Sequence, residues 1–109
     1  MLKKLRSSTI TKEFVQLKIP TPGDVLLEDF LKPAGFSQNA LARAIGVPPR
    51  RINEIVLGKR AVTADTDLRL ARYYGISEGI FLGLQMDYDL RMQKRLLGNK
   101  LDEIRPLAA

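Results

Sequence analysis

The feature that most constrains this chain is Gly46, set between two short apolar-periodic runs in SQNALARAIGVPPRRINEIVLGKR, Ser37 to Arg60. Counting Gln38 as position one, Ala42 falls at five, Ile45 at eight, Gly46 at nine, Ile52 at fifteen and Ile55 at eighteen. A glycine takes readily the positive φ that a sharp turn between helices needs. Ala42 is small, as required where a second helix crosses closely over the first. Ile45, Ile52 and Ile55 supply the apolar pegs that hold two helices at a steep angle. The second helix keeps a polar face of Arg50, Arg51, Asn53 and Glu54, the kind of surface that reads base edges in a major groove. A glycine-hinged helical hairpin without a ligand is the plainer reading. Five matched positions, the basic polar face and Gly58, Lys59 and Arg60 just beyond it favour a helix-turn-helix.

The flanking sequence predicts three more helices. Thr21, Pro22 and Asp24 form a start signal with a capping box, ahead of an apolar face of Val25, Leu26, Phe30 and Leu31. Pro33 and Gly35 are expected to end that helix. Ser37 caps the next, which runs to about Ile45 with Gly46 as its stop; the third runs from about Pro49 to Gly58. Thr63 is expected to cap a fourth helix that buries Leu68, Ala71 and Tyr74 and stops at Gly75. Ser77 is expected to cap a fifth, reading EGIFLGLQMDYDLRMQKRL, long enough to project from a small globule. Gly79 falls near its start and is expected to weaken it by up to about 1 kcal/mol relative to alanine. In residues 1–19 the alternation of Val15, Leu17 and Ile19 reads as a short strand or extended arm, with Lys3, Lys4 and Arg6 ahead of it as a solvated basic tail. The expected fold is all-α: an extended segment over 1–19, a five-helix domain over 20–97 and a tail over 98–109.

Composition narrows the chemistry. The chain of 109 residues is one domain's length and holds neither histidine nor cysteine. The usual general base, the usual zinc ligands and the thiol nucleophile are therefore all missing, so no enzyme, metal site or cofactor is expected. The absence of cysteine fits a cytoplasmic protein. No run approaches the roughly 20 apolar residues that span a bilayer, and the basic N-terminus lacks the apolar stretch of a secretory signal. The net charge of +6 is segregated: residues 1–62 carry eleven Lys or Arg against five Asp or Glu, whereas residues 63–109 carry seven of each. All the excess sits in the half that holds the helix-turn-helix, so a polyanion, most simply nucleic acid, is its expected partner, and the helix-turn-helix makes double-stranded DNA the expected form.

With these motifs laid out, the run from Pro20 to Leu90 resembles the small antitoxins of the HigA type, also named virulence-associated protein I. These belong to the Xre, lambda-repressor-like helix-turn-helix group. The matching stretches are PTPGDVLLEDFL, NEIVLGKRAVTADTDLRLARYYG and FLGLQMDYDLR. Where the family commonly reads Pro-Glu-Phe-Trp, this chain has Glu78, Gly79, Ile80 and Phe81. The resemblance implies a homodimeric repressor of its own operon that neutralises a HigB-like, messenger-RNA-cleaving toxin. A stand-alone Xre-type regulator without a toxin, or an interaction module without DNA binding, remains the alternative.

The resemblance also assigns roles. Gln38 matches the position that touches phosphate at a helix N-terminus. Pro49, Arg50 and Arg51 stand at the start of the groove-entering helix. There Arg50 can fork to guanine O6 and N7, and Glu54 can accept from cytosine N4. An Arg50–Glu54 ion pair at i, i+4 is the structural alternative. Asn53 shares that polar face, Lys59 and Arg60 are candidates for backbone phosphate, and Arg43 is a further one. Phe81, Leu84, Tyr88, Leu90 and Met92 on the last helix are the candidate dimer contacts.

Overall fold

A computed structural model describes residues 18–108. Five helices carry them: α1 over 22–34, α2 Gln38–Ile45, α3 Pro49–Val56, α4 Ala64–Tyr74 and α5 Ile80–Leu97, followed by a 3₁₀ turn Gly98–Glu103. No strand occurs among the described residues. Ile19 lies in irregular chain. Val15, Leu17 and the Lys3, Lys4 and Arg6 cluster lie outside the described residues.

The start of α1 is the capping box that the sequence encodes. Asp24 N–H donates to Thr21 Oγ1 at 3.0 Å, and Thr21 N–H donates to Asp24 Oδ2 at 2.9 Å. Its end differs from expectation, because Pro33 lies inside the helix. A π-helical turn, Leu26–Leu31, precedes it, and Lys32 N–H donates to the carbonyl of Leu27 rather than of Glu28. In a regular helix the Pro33 ring would press on the carbonyl four residues back. The widened turn relieves that clash and lets the chain run on to Gly35, which stops it at φ 62°.

The core draws on every helix. Leu26 and Leu31 of α1, Leu41, Ala42 and Ile45 of α2, Ile52 and Ile55 of α3, Leu70 of α4 and Phe81 of α5 close around one another, with Val47 and Val62 from the connections. At one place the packing is backbone against backbone. A Cβ built on Gly23 would lie 1.9 Å from the Ile55 carbonyl oxygen, so only glycine lets α1 approach the end of α3 this closely.

Three expectations fail around α4 and α5, and one residue explains them. Leu68 is 48% exposed, while the inward stripe holds Thr66, Asp67, Leu70 and Ala71. Thr63 does stand at the N-cap of α4, as expected, although its side chain makes no cap bond. Ser77 does not cap α5, since that helix begins at Ile80. Its cap comes from α4: the buried Asp67 carboxylate accepts from the N–H groups of Gly79 at 2.6 Å, Phe81 at 2.9 Å and Leu82 at 3.0 Å. These are the donors that a helix start leaves without intrahelical partners. Gly79 therefore precedes the helix rather than weakening it, at φ 96°, where a side chain would be strained. Val62 N–H, donating to Gln85 Oε1 at 2.8 Å, ties α5 to the α3–α4 connection as well.

Asp67→Ala strands three inward donors, so it should cost about 3 kcal/mol of folding free energy. Urea unfolding followed by circular dichroism measures this; a loss below about 0.5 kcal/mol would show that α5 is held without its cap.

Candidate nucleic-acid interface

The α2–turn–α3 unit is built by local rules. Ser37 Oγ accepts from Ala40 N–H at 3.0 Å and starts α2. Gly46, at φ 76°, stops it with its N–H on the carbonyls of Ala42 and Arg43, and Val47 N–H donates to Ala42 O at 3.0 Å. Ala42 is fully buried, and Ile45, Ile52 and Ile55 fill the angle between the helices. Pro48 and Pro49 open α3 without a side-chain cap; neither proline has an N–H to satisfy, and Arg51 N–H donates to the Pro48 carbonyl at 3.0 Å.

A latch from α4 holds the turn. Arg69 Nη1 donates to the carbonyls of Ile45 at 2.8 Å and Gly46 at 3.2 Å, while its Nε donates to Asp65 at 3.0 Å. Asp65 also accepts from Arg51 Nη1. The guanidinium groups of Arg51 and then Arg69 hold the Asp65 carboxyl below its ordinary range. Sequence reading missed Arg69, although Asp65 and Arg69 stand at the i, i+4 spacing of an ion pair.

The predicted site residues fall into distinct groups. Gln38 and Asn53 meet across the two helices, with Asn53 Nδ2 donating to Gln38 Oε1 at 2.8 Å. Arg50 and Arg60 converge on one carboxylate: their Nε atoms donate to Glu54 Oε2 at 2.7 Å and Oε1 at 2.9 Å respectively. The hydrogen bond from Arg50, then that from Arg60, lowers the Glu54 carboxyl from its ordinary value, and Glu54 raises Arg50. The Arg50 side chain is 82% exposed, whereas that of Arg51 is only 27% exposed and turned to Asp65. Pro49, Lys59 and Arg43 are exposed, Arg43 on the outer side of α2.

The five candidate dimer residues do not share one face. Phe81 is 1% exposed, its ring 5.3 Å from that of Phe30, so it belongs to the protomer's own core. Leu84 packs against that core, and Tyr88 and Met92 continue the same half-buried stripe. Leu90 alone of the five points outward. With Leu82 and Met86 it forms a second stripe at i, i+4 and i+8 beside Ala61 and Val62. Sequence periodicity alone cannot say which of two apolar stripes on one helix faces inward.

Two short helices packed together through a buried alanine, a positive-φ glycine and three isoleucines, with a basic polar face on the second, define a DNA-binding helix-turn-helix protein. The Helix-turn-helix family model matches residues 27–81, and the chain belongs to that family. Within it the chain groups with the HigA and virulence-associated protein I type. It is 51% identical over 74 residues to virulence-associated protein I of Dichelobacter nodosus, covering 68% of each. Among solved structures it is similar to the Pseudomonas aeruginosa antitoxin HigA with the higBA promoter (TM-score 0.78, 35% identity, 83% of this chain and 99% of that one). It is similar also to antitoxin GraA in complex with its operator (TM-score 0.78, 35% identity, 85% and 95%). No helix among the described residues is long and apolar enough to cross a membrane.

Replacing Arg69 by methionine keeps its aliphatic stem and removes the latch. The thermal midpoint should fall by about 4–8 °C, the shift expected for a loss near 1 kcal/mol in a domain this size. An unchanged midpoint in differential scanning calorimetry would show that Gly46 and the isoleucines set the turn unaided.

Proposed function

We propose that this protein is a homodimeric DNA-binding antitoxin that represses its own operon in the cytoplasm and neutralises a HigB-like toxin. The observation that carries the DNA-binding part is the face of α3 and its following turn. Arg50, Lys59 and Arg60 are presented there by a helix whose N-terminus and inter-helix turn are locked. The operator and promoter complexes of GraA and HigA support the same reading. The toxin enters through family membership.

In this reading α3 enters the major groove, with Arg50 released from Glu54 to fork on guanine and Glu54 free to accept from cytosine N4. Gln38, oriented by Asn53, meets phosphate at the start of α2. Lys59 and Arg60 grip the backbone beyond the helix, and Arg43 adds a charge further along α2. Arg51 acts through the turn, where Asp65 holds it. The outward stripe of Leu82, Met86 and Leu90 pairs two protomers, so that two copies of α3 meet successive grooves about 34 Å apart. Residues 20–97 form the working domain.

Two measurements test this. Arg50→Ala should weaken binding to the selected operator about 10- to 100-fold and relax preference at one base pair per half-site. Lys59→Ala should weaken operator and scrambled duplex alike, lowering the salt slope by roughly one per lost contact. Equal shifts on both duplexes for both variants would remove the base-reading role of Arg50. Sedimentation should give a dimer that Met86→Glu with Leu90→Glu dissociates; a monomer of 12.2 kDa at tens of micromolar, with and without DNA, would refute the assembly.

A further inference from the structure

We propose that Glu54 is a specificity-determining residue, a built-in anion that competes with DNA phosphate for Arg50 and Arg60 and yields them only to the correct base sequence. The inference rests on the DNA-binding reading above.

Both oxygens of this carboxylate are in use, one on Arg50 at 2.7 Å and the other on Arg60 at 2.9 Å. Arg50 is its neighbour one helical turn back. Arg60 reaches it only because Gly58, at φ 76°, turns the chain back on α3, with Lys59 N–H donating to the Glu54 carbonyl at 2.8 Å. The pairing is therefore a product of the fold and not of helix spacing alone. Among the described residues the Glu54 side chain has no other hydrogen-bond partner, so it holds no element of the core. Asp65 differs in this respect: one of its two arginines, Arg69, also fastens the inter-helix turn.

The arrangement changes what DNA of arbitrary sequence meets. Arg50, Glu54 and Arg60 together present one positive charge where two guanidinium groups alone would present two. Non-specific attraction scales with the number of phosphates neutralised. A phosphate that captures either arginine must also sit beside a carboxylate, and such like-charge contacts are costly. In the major groove the cost is offset only where an amino group faces Glu54, as cytosine N4 or adenine N6 does. Arg50 is then free to take the neighbouring acceptors. Wrong sequences leave the carboxylate opposite acceptors, so the same residue that assists the right site repels the others.

The test compares the full-length wild type with Glu54→Gln, which keeps the side-chain shape and removes the charge. The probes are a duplex pool of randomised sequence and the consensus that the wild type selects from it. Glu54→Gln should bind the pool about tenfold more tightly per subunit near 0.1 M salt, with the salt slope steeper by roughly one per subunit. Its affinity for the consensus should stay level or fall, so that preference drops at least about tenfold. Glu54→Ala should repeat the gain on the pool, which separates loss of charge from any new bond made by the amide. Unchanged affinity for the pool, or parallel shifts on both duplexes, would overturn the proposal while leaving DNA binding intact. A wild type that binds no duplex at any salt would refute the DNA-binding reading, and this inference with it.

Discussion

Three backbone N–H groups at the start of α5 converge on the buried carboxylate of Asp67, and the placement of that helix depends on this contact. A helix start needs acceptors, and here they come from another helix across the core. The bond to Phe81 N–H fixes where the Phe81 ring enters the core beside Phe30. Once that ring is placed, the rotation of α5 follows, because Leu84, Tyr88 and Met92 stand on the same side and Leu82, Met86 and Leu90 on the other. A buried polar contact thus decides which apolar stripe is left exposed. Burying the carboxylate is tolerable because three donors meet it.

The recognition unit depends on contacts of another kind. Gly23 allows α1 to rest its backbone against the end of α3, and Gly46 lets the chain turn within one residue. Arg69 then closes the turn by using carbonyls that the end of α2 leaves free. Each contact takes freedom from the path of α3, and a base-reading helix needs this, since its side chains carry specificity only if the backbone is already placed.

What was legible in the sequence was local. The Thr21 capping box, the Ser37 cap, the Gly46 and Gly75 stops and the Ala42, Ile45, Ile52 and Ile55 pegs each act within a few residues or across one turn. The helix-turn-helix and most helix boundaries followed from them. What was not legible depended on partners distant in the chain. Leu68 was expected inside, and Asp67 was not, because hydrophobicity cannot anticipate a carboxylate satisfied by residues twelve to fifteen positions away. Ser77 was expected as the cap of α5, and Gly79 inside that helix, for the same reason. Pro33 was read as a stop because nothing local announces a π turn. At the interface, Arg50 and Glu54 were legible as a pair, but the third member, Arg60, required the reversal at Gly58.

These two sets of contacts meet on α4. Asp65 and Asp67 lie two residues apart, which on a helix turns their side chains about 200° from one another. Asp65 faces the α2–α3 turn and, through Arg51 and Arg69, holds the start of the recognition helix. Asp67 faces the core and holds the start of α5. A single turn of one helix is therefore the common reference for the surface proposed to meet DNA and the helix that carries the outward apolar stripe. In a dimer built on that stripe, the separation of the two recognition helices is set by how α3 and α5 are each oriented to α4. Fixing both through adjacent carboxylates on a short, rigid element leaves little play between them. Half-site spacing on DNA tolerates little play either, because a recognition helix displaced along the groove loses its base contacts together. In that proposed dimer the segment Ala64, Asp65, Thr66 and Asp67, outside the helix-turn-helix itself, thereby bears on operator geometry.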